Sequence, residues 1–483
     1  MQDHSNRFAT APLASILVAA LSGCGGGHGA NNYAIGGTLQ GLPEGSKLTL
    51  RNNSSDSLTL TVSGAFSFDD PIPAGASYAV AIVAQPVGQT CVVKDGSGSG
   101  VMARISAVSV TCSTVETILH SFGSGTDGSQ PGRLIQARDG NFYGVTAAGG
   151  ANGNGTVFKI TPSGVETVLY SFSASGVPDG RNPIGALVEG SDGNFYGLTE
   201  FGGTYQAGVL FRITPSGYQS YFYSFGRYST DGQFPSGSLV LGTDGNFYGT
   251  TLGGGTGDLN GMEAFGTVFQ VTPLDAEKVL GSFGYETTDF SPSSLMQAKN
   301  GNFYGTAEDG EYGAGTVFTI TPQGAETVLG SFGAHALDGR ESVGGLIEGS
   351  DGNFYGTTIN GGSTNTGTLF RVTPAGDITY LYDFKTGTYG STPMAGLIQA
   401  SDGNFYGTTS LGGENNTGII YHLSLSGVVS TLYSFGPSTG TDGARPAASL
   451  IQAADGSLYG TTLSGGGYQQ SNGPPLGTVF KIN

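Results

Sequence analysis

The sequence predicts an all-β protein, and three observations carry that prediction. Glycine supplies 87 of 483 residues, while charged side chains make up only 11% and tryptophan is absent. The glycines alternate with short aromatic and β-branched runs, the pattern of many short strands joined by tight turns. Beyond the N-terminus no stretch carries apolar residues at helical spacing.

The charge balance excludes one class of partner. A net charge of −18 with only 18 Lys and Arg residues, none of them clustered, argues against nucleic acid, because phosphate binding needs grouped basic side chains. The acidity implies solubility and a capacity for cations, and says nothing about fold.

The first element is an address. Residues 13–23, "LASILVAALSG", form an apolar run too short to span a bilayer, which fits the hydrophobic core of an export signal. The ending Leu21-Ser22-Gly23-Cys24 resembles the bacterial lipoprotein signal, although Arg7 is the one firm positive charge ahead of it. That resemblance implies removal of residues 1–23, acylation of Cys24, and attachment to a membrane of the bacterial cell envelope through the lipid alone. Gly25, in place of an aspartate, leans the resemblance towards the outer membrane or cell surface. Residues 24–32, "CGGGHGANN", then read as a flexible tether. With Cys24 lipidated, Cys91 and Cys112 remain as an even pair in an oxidising compartment, so a disulfide is expected, with two free thiols as the alternative.

The second element, residues 33–113, alternates apolar and polar residues between Gly, Asn, Asp and Pro turns, as in "KLTLRNNSSDSLTLTVSG". Six to seven short strands in this length predict a small β-sandwich. It looks like an Ig-like module of bacterial surface lipoproteins, which implies a spacer holding the next domain off the membrane.

The third element is repetitive. "DGNFYG" at 139–144 recurs, with small changes, at openings Asp139, Asp192, Asp244, Asn300, Asp351, Asp402 and Asp455, spaced 51–56 residues apart. One copy shows the unit: "IGALVEG" (184–190), an Asp-Gly turn at 191–194, "FYGLTE" (195–200), a Gly-rich loop, "GVLFRIT" (208–214), "PSG", and "YQSYFYSFG" (218–226). Four antiparallel strands per unit make a propeller blade. Adjacent apolar residues such as Phe195-Tyr196 and Leu210-Phe211 require burial on both faces, as between neighbouring blades. Glycine after each Phe-Tyr pair suggests a close backbone approach there, a packing device near a crowded axis. The chain stops after a third-strand copy, "GTVFKIN" (477–483), while a lone fourth-strand copy, "VETILHSFG" (115–123), precedes the first unit. Residues 114–483 are therefore expected to form a seven-bladed β-propeller closed by an N-terminal fourth strand, which removes exposed sheet edges.

Residues 115–483 resemble the GloVer tandem-repeat family, bacterial surface proteins built from "DGNFYGTT…GG…GTVFKITP…ETVLYSF" units with varying anchors. The departures are Asn300, "SLYG" (457–460) and "IIYHLSLSG" (419–427). The resemblance implies repeat and anchor, and brings no reaction with it.

Functional residues are expected on the face with the longer, variable connections. Asp-Gly pairs followed by proline place Asp127, Asp179, Asp231 and Asp442 there, with Asp338 lacking the proline. They read either as turn formers or as a carboxylate ring at a channel mouth that binds cations or hydroxyl-rich ligands. The loop at 252–266 carries Asp258, Asn260 and Glu263, oxygen ligands at a spacing open to calcium, the one cofactor considered. HExxH, P-loop and GxSxG patterns are absent, and His28, His120, His335 and His422 are scattered, so no catalytic residue is named. Carboxylates such as Glu200, Glu308 and Asp309 keep a hydrolase in view. The expected function is a lipid-anchored extracytoplasmic module binding a protein or glycan. A carbohydrate-active hydrolase or lyase, and a structural envelope protein, are the alternatives.

Overall fold

The computed structural model describes residues 31–483 apart from 174–178, 257–264, 274–276, 285–289, 388, 426, 438–440 and 467–475. The predicted export signal and Cys24 therefore lie outside the described residues. Within them the protein is all-β and contains no helix, so none is long and apolar enough to cross a membrane.

The repeat folds as the sequence parses. Unit 2 places Arg181–Glu189, Phe195–Phe201, Val209–Ile213 and Gln219–Ser224 in one antiparallel sheet, in chain order. The same order recurs from unit 1, with its second strand at Phe142–Gly149, to unit 6, with its second strand at Phe405–Thr409. In units 5, 6 and 7 the first strand is shorter than expected, as at Ile347–Glu348, Ile398–Gln399 and Ile451–Gln452. Unit 7 takes Leu458–Thr462 and Thr478–Ile482 from one end of the chain and its fourth strand, Glu116–Ser121, from the other. Glu116 pairs there with Ile482 and Ser121 with Thr478.

The repeated hexapeptide builds the turn and latches it. In unit 2 the Gly193 N–H donates to Gly190 O, Gly193 sits at φ 75°, and Gly190 N–H closes on Asn194 O. The loop thus holds three residues and not the two that an Asp-Gly hairpin suggests; glycine supplies the left-handed position. Asp192 accepts from the Asn194 backbone at 3.1 Å and from the Tyr196 hydroxyl at 3.0 Å. The set recurs at Asp139, Asp244, Asp351, Asp402 and Asp455 with their tyrosines. Asn300 does the same work by reversing one bond, its amide donating to Tyr304 at 2.9 Å.

The aromatic pair faces two ways. Six of the seven tyrosines lie on the phenylalanine of the next unit, among them Tyr143 on Phe195 with centroids 4.1 Å apart, Tyr248 on Phe303 at 4.1 Å, Tyr304 on Phe354 at 4.0 Å and Tyr355 on Phe405 at 4.3 Å. Tyr459 of unit 7 returns to Phe142 of unit 1 at 4.3 Å. The glycine that follows is a seat for a ring: a Cβ on Gly356 would stand 2.7 Å from Phe370 Cζ, opposite it on the third strand. The close approach is thus by a side chain, where the sequence suggested backbone.

Three further contacts join unit to unit. An apolar cluster spans each successive pair, including Phe142, Phe158, Tyr459 and Val479 between units 7 and 1. A Gln or Glu ending the first strand accepts a backbone N–H from the preceding hairpin, as Gln399 does from Ser350 at 2.9 Å, and Gln136 takes Ala454 N–H at 2.8 Å across the junction of chain ends. The residue before the first-strand proline adopts left-handed φ, 57° at Phe234 and 58° at Thr392, and its N–H reaches back to the preceding unit at Ala207 O and Thr366 O. Such strain in non-glycine residues persists only where the surroundings impose it.

Ahead of the repeats, ten short strands between Asn32 and Ser113 form two four-stranded sheets and a two-stranded one. One apolar cluster serves them, including Ile35, Leu50, Phe66, Val80 and Val108. Cys91 and Cys112 stand directly opposite each other in neighbouring strands and form the expected disulfide. Val87 enters the cluster between units 6 and 7, and Asn404 donates to Gly45 O at 3.0 Å, so this part is docked on the repeats.

The hairpin latch predicts a graded pair of variants. Asp351→Ala should cost about 1–3 kcal/mol, the penalty for leaving partly buried donors unpaired. Asp351→Asn should cost less, because unit 4 folds with that residue. Urea unfolding monitored by tyrosine fluorescence measures both.

Candidate functional site: an axial cavity and the seams around it

The first strands of units 2, 3 and 4, and the segments leading into the first strands of units 1, 5, 6 and 7, converge on one cavity of about 320 Å³. Its lining runs from Gly132 and Arg133 through Gly185, Ser238, Ser294, Gly345 and Gly396 to Ser449. Convergence explains the residue choice: the position before the leucine that recurs in every unit at or just before the first strand reads Arg133, Ala186, Ser238, Ser294, Gly345, Gly396 and Ser449, small in six copies and long in one. Hydroxyls bind the strands to one another around the axis, Ser238 accepting Ala186 N–H at 3.0 Å and Thr461 donating to Gly132 O at 3.0 Å. A second cavity of about 710 Å³ is lined by the later residues of several of these strands, among them Gln136, Glu189 and Gln297. Arg133 lines both.

The five candidate aspartates line neither of these cavities. Each lies beside the fourth strand, the edge of its sheet farthest from the axial lining. Asp127 accepts from His120 Nε2 at 3.0 Å and from Gly128 N–H at 2.8 Å. Asp179 takes the Tyr170 hydroxyl at 2.5 Å and Ser173 N–H at 3.0 Å. Asp231 takes Tyr228 N–H at 2.9 Å and Tyr223 at 3.3 Å. Asp338 takes His335 N–H at 2.9 Å and lines a separate outer cavity of about 340 Å³. Asp442 takes the Tyr433 hydroxyl at 3.1 Å and the Gly436 N–H. The proposed calcium residues Asp258, Asn260 and Glu263 lie outside the described residues.

Sequence reasoning missed what completes these seams. The glutamate that opens the next unit's fourth strand packs against the aspartate: Glu166 beside Asp127 and His120, Glu277 beside Asp231, Glu116 beside Asp442. Tyr223 donates to Glu277 at 2.5 Å, and Tyr433 lies 3.2 Å from Glu116. His120, Asp127 and Glu166 offer ligand atoms within 4.8 Å of one another, a geometry that could hold a metal ion. A signal existed: tyrosine or histidine stands at one fourth-strand position in five of seven copies, and glutamate or glutamine four residues earlier in five. Arg133 was also legible, by comparing the seven copies.

Burial, then the neighbouring Asp442, pushes Glu116 up to about 9. Burial raises Glu166 and Glu277 to about 7, with Asp127 and Asp231 adding repulsion. At the hairpins burial works upwards on Asp139 and Asp351, but hydrogen bonds from Asn and Tyr outweigh it and hold both below their ordinary value.

These shifts set a pH profile. A raised carboxyl stabilises the fold fully below its unfolded value of 4.5, and the stabilisation fades as pH rises through about 7 for Glu166 and Glu277 and about 9 for Glu116. The lowered hairpin aspartates act oppositely, losing their contribution as pH falls below 3.8. The melting temperature should therefore peak near about pH 5 and decline to pH 9. The double variant Glu116→Gln, Glu277→Gln should flatten the alkaline limb; an unchanged slope would refute the assignment.

Among solved structures the chain is similar to the extracellular domain of a one-component system from B. thetaiotaomicron, 12% identical over 74% of this chain and 39% of that one, with TM-score 0.47. A gluconolactonase from Xanthomonas campestris is 10% identical over 76% and 89%, TM-score 0.39. The PQQ-bound aldose sugar dehydrogenase of Streptomyces coelicolor is 15% identical over 77% and 98%, TM-score 0.39. The chain spans about two fifths of the length of the first of these. Likeness at this level assigns no activity. No curated protein sequence matches the chain. The Gloeobacter/Verrucomicrobia repeat, by contrast, matches residues 81–289 and again 259–480, and the chain belongs to that family.

Proposed function

We propose that residues 114–483 form a closed seven-bladed β-propeller, that residues 33–113 form a β-sandwich ahead of it, and that the whole is an extracytoplasmic binding module whose ligand seats in the axial cavity. What supports closure is that three kinds of contact, ring stacking, the glutamine latch and the apolar cluster, join unit 7 to unit 1, and that unit 7 is itself completed by the pairing of Glu116–Ser121 with Thr478–Ile482. The Cys91–Cys112 disulfide supports an oxidising compartment. The anchor we assign to Cys24, cleaved from residues 1–23 and tethered by 24–32, at the outer membrane or cell surface.

The observation that carries the binding role is the make-up of the axial lining. It is concave, drawn from every unit, and among the described residues Arg133 is its one ionisable side chain. Glycosidic cleavage calls for two carboxyls about 5–10 Å apart across a substrate cleft. The carboxyl pairs here sit at the outer seams, tied to tyrosines and backbone amides, where they serve packing.

Two expected outcomes test this reading. Ser449→Phe fills the axial cavity; in a thermal-shift screen of the full chain against metabolites and oligosaccharides, compounds that raise the melting temperature of the wild type should lose that effect. Retained shifts, or turnover of a compound, would sink the axial-binding role. Cys24→Ser should move the protein from the membrane fraction to the soluble extract and remove the acyl mass from its N-terminal peptide; unaltered fractionation would refute the anchor.

A further inference from the structure

We propose that the axial cavity is an anion site, in which the Arg133 guanidinium grips the carboxylate of a small, hydroxyl-bearing monocarboxylate. This rests on the axial seat proposed above and adds the chemistry of its occupant.

The seven copies make Arg133 conspicuous. Six place Gly, Ala or Ser at this axial position, as convergence on the axis demands, and one places the longest cationic side chain available. Packing does not call for it, since serine fills the same position in units 3, 4 and 7. Nor does pairing: among the described residues Arg133 makes no hydrogen bond or ion pair. The one acid lining the adjoining cavity among the described residues, Glu189, is already engaged by Arg138, through its backbone N–H at 3.0 Å and its side chain at 3.8 Å.

A guanidinium held in a protein-walled channel without a counter-charge is costly, and the cost is removed when an anion enters. Burial lowers the Arg133 pKa, so the walls do desolvate it even though its surface opens on the channel. The planar fork suits a carboxylate through two parallel hydrogen bonds. One positive charge balances one negative charge; a dianion would retain an uncompensated charge inside a molecule of net charge −18. Part of the lining suits hydroxyls: the Ser449 hydroxyl has no hydrogen bond among the described residues, while Ser238 and Ser294, already bonded to Ala186 N–H and Thr306, stand beside glycines, and Met296, Leu346 and Met394 add an apolar wall. A volume of about 320 Å³ admits a compact ligand, at the lower end of ligand pockets.

Isothermal titration of the full chain with sodium glucuronate, glucose and sodium sulfate tests the inference. Expected is one glucuronate per chain, bound at least tenfold more weakly by Arg133→Ser, which installs a residue three other units already use and, by removing an uncompensated charge, should not lower the melting temperature. Arg138→Ser, at the surface, should leave affinity intact. Glucuronate binding undiminished in Arg133→Ser, or preference for sulfate, would overturn the proposal, as would no binding of glucuronate. Glucose bound equally by wild type and Arg133→Ser, and lost in Ser449→Phe, would keep the axial seat while removing its anion chemistry.

Discussion

A strand that is apolar on both faces cannot be left beside water, and this constraint organises the repeats. In the second strand of units 5, 6 and 7 every residue is buried. No unit can satisfy that alone, because a sheet has two faces and a unit brings only one layer. The Tyr-Phe pair resolves it by using one ring on each side, so that each unit is both seat and cover for its neighbours. The Asp–Tyr hydrogen bond fixes the orientation of the stacking ring while the same aspartate holds the turn. One substitution shows the tolerance of the scheme: Leu458 stands where unit 7 should offer a phenylalanine to Tyr406, and both side chains remain fully buried in the shared apolar cluster.

The sequence displayed most of the architecture because the architecture repeats. The strand limits read from 184–226 agree with those observed to within about three residues, and the N-terminal strand at 115–123 pairs where its motif says it should. What stayed illegible was any contact made across units. Nothing local to Asp127 or Asp442 says whether a carboxylate faces a channel or an outer seam; that depends on Glu166 and Glu116, which belong to other units. The glycine after each Phe-Tyr pair was legible as a close approach, but the approaching ring, Phe370 for Gly356, sits fourteen residues on.

The polar chemistry therefore separates by radius. Carboxylates and tyrosines occupy the outer seams, where they join neighbouring units and titrate with the stability of the fold. Among the described residues the axis is left to small and apolar side chains, backbone and one cation. Repetition explains this division: a group placed near the axis in every copy would meet six others, whereas a group at the rim meets one.

The joining of Glu116–Ser121 to Thr478–Ile482 has a consequence for how the chain reaches its final state. This sheet pairs segments about 360 residues apart, so among the described strand pairings it carries the largest loop-closure entropy and forms after the local hairpins. Until then Thr478–Ile482 is an open edge with a defined register, and the fourth strand of another chain fits it as well as its own. Local concentration at the moment of folding thus decides between a self-contained monomer and strand-exchanged oligomers.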